Sequence, residues 1–285
     1  MSNILTAIKA IVKNSSLEVK EELEGSIQNR ANQMGTALED YVKNAFADCL
    51  GQDNRAIIQA RNKTFSYLGN NTNPPDAMLI GSDAIEIKKL SSRGTSLQLN
   101  SSYPKNKLYS DNPKICSACR ECETWQEKDM LYVVGQVEGQ KLQNIFFVYG
   151  DLYCDSHEVY ENAEKTIKDG VKNLDDVEFS ETNEIGRVNK VDHLGISDLR
   201  IRGMWIIKSP FKHFDYLTKE ITDYTFKLVA LIPDDKYKSF SNIKEFEKFC
   251  DDKGVNISDE EIADPQNPAK TIKSKLITYI INETN

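Results

Sequence analysis

The stretch Asn73-Pro74-Pro75-Asp76-Ala77-Met78-Leu79-Ile80-Gly81-Ser82-Asp83-Ala84-Ile85-Glu86-Ile87-Lys88-Lys89 constrains the fold of this chain more than any other. Asp76 leads into an apolar run, Gly81-Ser82-Asp83 supplies turn chemistry, and Ala84 to Leu90 reads as a second strand, so the segment predicts a β-hairpin. Successive strand side chains alternate, which sends Ile85 and Ile87 one way and Glu86 and Lys88 the other. If Asp76 ends the neighbouring strand, its carboxylate comes within reach of Glu86. Two hard oxygen donors side by side suit Mg²⁺, and Lys88 then stands beside the ion.

Such a cluster fits phosphodiester hydrolysis. The ion can polarise a phosphate oxygen and lower the pKa of a bound water, while the lysine orients that water or shares its proton. The pattern, Asp-x9-Glu-x-Lys after Pro-Pro, resembles the PD-(D/E)xK nuclease motif. The bland alternative is a half-exposed hairpin carrying a surface ion pair, which is worth little energetically. Another Glu-x-Lys, Glu18-Val19-Lys20, lies in a charged, helix-like run with no aspartate before it and offers no such cluster.

With 285 residues, 39% of them hydrophobic and 28% charged, the chain can bury a full core. We find no internal repeat and no clear linker, and expect one domain over 1–285 in which 211–285 forms a helical C-terminal annex. The strongest apolar run, Leu228 to Ile232, is strand-sized, so no membrane span is expected. The N-terminus lacks a basic flank followed by a long apolar core, which predicts a cytoplasmic protein whose six cysteines are reduced thiols or metal ligands. A net charge of −8 argues against a nucleic-acid partner for the molecule as a whole. The distribution reopens that possibility, because Arg187, Lys190, Arg200, Arg202, Lys208 and Lys212 face only Asp192 and Asp198 in their stretch.

Ile4, Leu5, Ile8, Ile11 and Val12 recur at helical spacing, and with the charged run Glu18 to Glu24 predict a first helix or helical hairpin. Met34, Ala37, Leu38, Tyr41, Val42, Ala45 and Phe46 predict a second helix from about Gln33 to Leu50. Glu39 sits at the edge of that stripe, either as a solvated charge or as a further carboxylate near the hairpin. Ala56 to Ala60 and Thr64 to Leu68 read as short strands. Ser91 to Lys107 has few apolar anchors and reads as a surface loop, or as a DNA-contact segment, since Ser, Asn, Gln, Lys and Arg contact phosphates and base edges.

Asp129 to Glu138 and Leu142 to Gly150 predict a second hairpin, and His157 to Val171 a helix with Val159, Tyr160, Ala163, Ile167 and Val171 on one side. In Leu199-Arg200-Ile201-Arg202 a strand would bury the aliphatic side chains and present both guanidiniums on one face, where they could grip guanine edges or form an exposed arginine ladder. Phe226 to Ile232 predicts a buried strand. Ile243 to Phe249 and Ala269 to Ile281 predict amphipathic helices, with Asp264 to Pro268 as the breaker between them.

Cys116, Cys119 and Cys122, with Cys154 distant, lack the paired arrangement of a zinc module, and three partly buried thiols on one side of a helix are the expectation. Three histidines without His-Glu-x-x-His, no Gly-x-Ser-x-Gly and no glycine-rich phosphate loop leave metalloprotease, serine-hydrolase and nucleotide-binding chemistry without support. The carboxylate-lysine hairpin is the best remaining catalytic candidate.

Beyond the motif, Met34-Gly35 with Leu38 to Lys43, Asn73 to Asp76, Asp83 to Lys89, Leu99 to Lys105, and Gly186 to Asn189 through Arg200 to Trp205 together resemble the NgoPII-like type II restriction endonucleases in order and spacing. The resemblance implies an α/β, restriction-endonuclease-like core with a central mixed sheet flanked by helices, and Mg²⁺-dependent cleavage of both strands of duplex DNA. It also implies a homodimer on a palindromic site, with GGCC as the expected target. Asp76, Glu86 and Lys88 match the motif one for one, and Glu39 joins them as a candidate catalytic and metal-binding carboxylate. A two-fold dimer suits a palindrome, which presents the same half-site twice. Candidate DNA contacts are Asn100, Ser101, Ser102, Lys105, Arg187, Arg200 and Arg202. A repair or structure-specific nuclease on the same core, and a non-catalytic DNA-binding module, are the competing readings.

Overall fold

A computed structural model describes residues 2–14, 16–19, 30–70, 73–100, 102–172, 178–179, 185–192, 194, 196–222 and 224–282. In chain order these form α1 (Ile4–Lys13), α2 (Arg30–Phe46), α3 (Asn54–Thr64), β1 (Phe65–Asn70), β2 (Asn73–Leu79), β3 (Ala84–Leu90), β4 (Leu97–Asn100), β5 (Lys107–Tyr109), α4 (Ser117–Glu121), β6 (Glu127–Glu138) and β7 (Lys141–Tyr149). There follow α5 (His157–Lys172), β8 (Glu178–Phe179), β9 (Gly186–Asn189), β10 (Leu199–Ile201), β11 (Met204–Ile207), α6 (Pro210–His213), β12 (Phe226–Pro233), α7 (Asp234–Ser239), α8 (Ile243–Lys253), β13 (Asn256–Asp264) and β14 (Asn267–Ile281).

The expected α/β architecture with a large central mixed sheet is present. Its strands run in the order β1-β2-β3-β6-β7-β12-β14-β13, with β5 on the end of β6. The pairs β3-β6 and β7-β12 are parallel and the other pairs of that path antiparallel. Apolar side chains cover both faces. Ile85 and Ile87 join Leu38, Phe46, Val133 and Phe147 in the core under α1, α2 and α8, while Ala84 and Leu90 belong to the opposite core with Tyr132, Val134 and Phe146. The alternation read from the sequence therefore holds, and it puts Glu86 and Lys88 on the face opposite α2's apolar stripe.

Local chemistry explains the main elements. The Asn3 side chain caps α1 by accepting from the N–H groups of Leu5 and Thr6, at 3.0 and 3.3 Å. Helix α2 approaches the sheet closely over Gly135, where a Cβ would stand 2.7 Å from a Leu38 methyl. Glu39 is thereby held near the sheet. Gly69 meets a similar demand at a bulge of β1, where a Cβ would lie 2.0 Å from the Pro75 carbonyl oxygen, next to the cis Pro74-Pro75 peptide.

Several expectations are corrected. Ala56 to Ala60 lies within α3 and not in a strand. Asp53 caps that helix through the Ala56 N–H at 3.0 Å, and Arg61 ties it to α2 by a 2.9 Å ion pair with Asp40. Ala269 to Ile281 is not a helix: it belongs to β14, which hydrogen-bonds β12 on one side and β13 on the other, and the expected breaker is the turn between β13 and β14. The stretch 211–285 thus contributes three strands to the central sheet in place of a helical annex. The proposed loop Ser91 to Lys107 contains β4, which pairs with β11. Most of the charged run Glu18 to Glu24 lies outside the described residues.

Candidate active site

Strands β2 and β3 pair with Ala77 opposite Ile85 and Met78 opposite Ala84. One step further along that register, the Asp76 carboxylate accepts the backbone N–H of Ile87 at 2.6 Å, so it lies against β3 between Glu86 and Lys88. The Lys88 ammonium pairs with Glu86 Oε1 at 2.6 Å. Burial, followed by the charges of Glu86 and Glu39, pushes the Asp76 carboxyl up to about 7, although Lys88 and the Ile87 N–H pull the other way. Burial alone would lower Lys88, but Glu86 and Asp76 more than offset it and hold the amine above its ordinary value. Glu39 is close enough to act on both groups and is itself joined to Lys43 at 3.2 Å.

The turn of this hairpin is pinned from two sides. Glu123 accepts from the Gly81 N–H at 2.9 Å and from Ser66 Oγ at 3.2 Å, and pairs with Lys128, whose ammonium also donates to the Leu79 and Ser82 carbonyls. On the other side Asp83, fully buried, receives Lys236 at 2.6 Å and the Tyr149 hydroxyl at 2.8 Å. Such bracing fixes the two strands that carry the acids and the lysine.

A second, buried amine adjoins Glu86. Lys105 is buried, with its ammonium against Ser102 Oγ and 3.3 Å from the Tyr103 carbonyl, while its main chain exchanges two hydrogen bonds with the Tyr132 hydroxyl. Burial pushes it down to about 8 against the opposing pull of Glu86. Pro74, Pro75, Glu86, Ser102, Lys105 and Lys114 share a small pocket of about 10 Å³, room for one water molecule. Lys114 was not anticipated. It is held by Glu164 at 2.7 Å and lies over the Tyr103 ring, and no motif marks it because only the fold brings it to Glu86's pocket.

The other candidates are distributed. Ser101 and the side chain of Asn100 lie outside the described residues, and Ser102 is half-buried beside Lys105. Arg187 and Arg200 stand opposite each other across β9 and β10, in a separate sheet. Arg187 is held by Asp198 at 2.7 Å and by Asn189 at 3.0 Å. The expected strand carrying both Arg200 and Arg202 is shorter than that. It ends at Ile201, because at Arg202-Gly203 the chain leaves β9 and crosses to β4, where Met204 pairs with Asn100. Leu199 is exposed and not buried. That crossing brings Arg202 into the neighbourhood of the Asn100 to Lys105 segment, two stretches remote in sequence.

Of the cysteines, Cys119 is buried against Met78, Cys122 donates to the Cys119 carbonyl, and Cys116 is hydrogen-bonded to the Tyr67 hydroxyl at 3.3 Å, which favours its thiolate. Among the described residues no three His, Cys, Asp or Glu side chains form a ready-made cation cage. Nor is any described helix long and apolar enough to cross a membrane.

Residues 2–263 match the NgoPII restriction endonuclease family. The type II restriction enzyme NgoPII of Neisseria gonorrhoeae is 43% identical over 278 residues, which cover 97% of this chain and 99% of that protein. No solved structure gives a significant match. With the hairpin acids and lysine assembled on one face of a mixed sheet and the likeness running almost from end to end, the chain belongs to the NgoPII restriction endonuclease family.

Proposed function

We propose that this site-specific deoxyribonuclease is a Mg²⁺-dependent enzyme that acts as a homodimer and cuts both strands of duplex DNA within GGCC, with Asp76, Glu86 and Lys88 as its catalytic centre. The observation that carries the reading is the contact of Asp76 with the β3 backbone between Glu86 and Lys88. The donor set fits the ion. Burial and then the neighbouring Glu86 carboxylate raise Asp76, a strain that a divalent cation relieves, and Mg²⁺ is commonly held by one or two carboxylates with water and substrate phosphate completing the shell. Asp76 and Glu86 would hold the ion and Glu39 would support it from α2; bound there, it would supply Lewis-acid polarisation of the phosphate and an acidified water.

The chain's own groups define the rest. Lys88, kept protonated by its acidic neighbours, stabilises charge growing on the phosphate and orients the attacking water, and a fixed cation in a partly dry site is worth far more than one in solution. The main-chain N–H of Ile87 fixes one Asp76 oxygen and leaves the other for the ion. Asn100, Ser101, Ser102, Arg187, Arg200 and Arg202 are proposed to meet DNA. Lys105, being buried, would act on DNA only from below the surface, through Ser102 and Glu86's pocket.

Digestion of a plasmid of known sequence with Mg²⁺, followed by end mapping, tests the proposal. Discrete fragments ending within GGCC are expected, whereas a smear or a preference for branched DNA would point to a repair nuclease. Lys88→Ala should lower the cleavage rate by about a hundredfold or more while leaving DNA binding largely intact. Unchanged cleavage by that variant would remove the hairpin from the chemistry.

A further inference from the structure

Lys105 carries a buried charge whose hydrogen-bond acceptors are uncharged. Its ammonium donates to Ser102 Oγ and, at 3.3 Å, to the Tyr103 carbonyl, while the acid whose charge acts on it most is Glu86. Lys114, in the same pocket, is served differently, with both Glu164 oxygens at 2.7 Å. Taking an ammonium out of water without a paired carboxylate is costly, and an uncharged donor would hold Ser102 and Tyr103 more cheaply. The sheet fixes where this charge stands. Glu86 on β3 is in register with Tyr132 on β6, and the Tyr132 hydroxyl accepts from the Lys105 N–H at 2.7 Å and donates to the Lys105 carbonyl at 3.1 Å. Lys105 is thereby tied to the strand position beside Glu86. The pocket the two share has room for one water molecule, and its polar edge is formed by Glu86, Ser102, Lys105 and Lys114 against the apolar Leu108 and Met130. A buried water needs about two to four polar partners, which this edge provides.

We propose that Lys105 is a positioning residue for Glu86: its buried ammonium, through one water molecule seated in the shared pocket, holds the Glu86 carboxylate in place when Lys88 leaves it for the phosphate. The inference rests on the catalytic reading of Glu86 above and deepens it. In the structure Lys88 pairs with Glu86 Oε1 at 2.6 Å, yet the same amine is the one that meets the phosphate. Once it turns away, Glu86 stands beside Asp76 with its partner gone, and repulsion between the two acids swings it out of line unless another cation holds it. Lys105 supplies that cation without competing for the substrate, because it is buried and already fastened to Ser102 and Tyr103. The apolar surroundings of the pocket strengthen the attraction. Lys114 cannot take the part, since Glu164 already claims its charge.

Steady-state cleavage and thermal unfolding of the full chain test this. Lys105→Gln keeps a donor for Ser102 and Tyr103 and removes the charge, whereas Lys105→Met removes both. Each should lower kcat by about ten- to a hundredfold, the scale of one charge-assisted hydrogen bond, with KM for DNA within about twofold of wild type. Lys114→Met should lower kcat distinctly less. A double-mutant cycle on melting temperature, run without divalent cation, reads the contact independently of activity: Lys105→Met combined with Glu86→Gln should cost less than the two single losses added together, because each removes the same interaction. Should Lys105→Met fail to fold, the cycle is run with Lys105→Gln. Additive losses, full kcat in Lys105→Gln, or an equal kcat loss in Lys114→Met overturns the assignment. If Glu86→Gln and Lys88→Ala are inactive while any of these results is found, only the role of Lys105 falls; if those two variants cleave as wild type does, the catalytic reading falls first.

Discussion

Asp76 combines demands that no free carboxylate meets: it is taken from water, placed beside Glu86 and fixed by a single backbone N–H. Without a cation the folded protein keeps a proton there up to about pH 7, while the unfolded chain releases it near the ordinary value of 3.8. The folded state thus binds the extra proton between those limits. The stability it confers is full below the lower limit and is lost as pH rises through the upper one. A divalent cation selects the deprotonated form. The gain in melting temperature on adding Mg²⁺ should therefore be small near pH 5 and larger near pH 8, and Asp76→Asn should abolish the dependence. Thermal melts in Mg²⁺ and in chelator across that range would show it, and an equal gain at both ends would contradict a cation at Asp76.

The ion pairs around the β2-β3 turn show how elements hold the site. Lys236 on α7 spans Asp83 in the turn and Asp129 on β6, each at 2.6 Å, so three elements meet on one ammonium. Lys236→Met would leave the fully buried Asp83 with the Tyr149 hydroxyl as its side-chain partner among the described residues, and we expect a loss of about 3 kcal/mol in denaturant unfolding. A change within about 0.5 kcal/mol would mean that water replaces the amine. The acids and lysine of the site were legible in the sequence because a two-residue alternation and a turn suffice to specify a hairpin. Other elements depended on partners that no local pattern contains. Ala56-Ile57-Ile58 looks strand-like until the Asp53 cap and the Arg61 to Asp40 pair are seen to favour a helix. In β14 the spacing of Ile272, Leu276 and Ile280 imitates a helical face. The β-branched content of Thr271, Ile272, Ile277, Thr278, Ile280 and Ile281 was the available counter-signal, and pairing on both edges decides the outcome. Lys105, expected as a DNA contact, and Lys114, which no spacing marks, reach Glu86's pocket only through tertiary folding.

At the scale of the whole molecule, a chain of net charge −8 has to approach a polyanion. Long-range attraction cannot come from the total, so it has to come from a local concentration of cations. The stretch 187–212 supplies one: Arg187 pairs with Asp198 there, and the exposed Arg200 and Arg202 lead directly into β11, whose partner strand β4 runs toward Ser102. Residues so placed are suited to reading a half-site near the scissile bond, since phosphate contacts fix register while base-edge contacts specify sequence. Arg200→Ala or Arg202→Ala should therefore weaken binding to a GGCC duplex by about ten- to a hundredfold, the scale of one lost bidentate guanine contact, with a smaller loss on unrelated duplex. Titrations of both DNAs at several salt concentrations separate the roles. A loss confined to the cognate duplex with an unchanged salt slope marks base reading. Equal losses on both, with the slope reduced by about one, would assign the arginine to a phosphate and move specificity to the Asn100 to Ser102 segment.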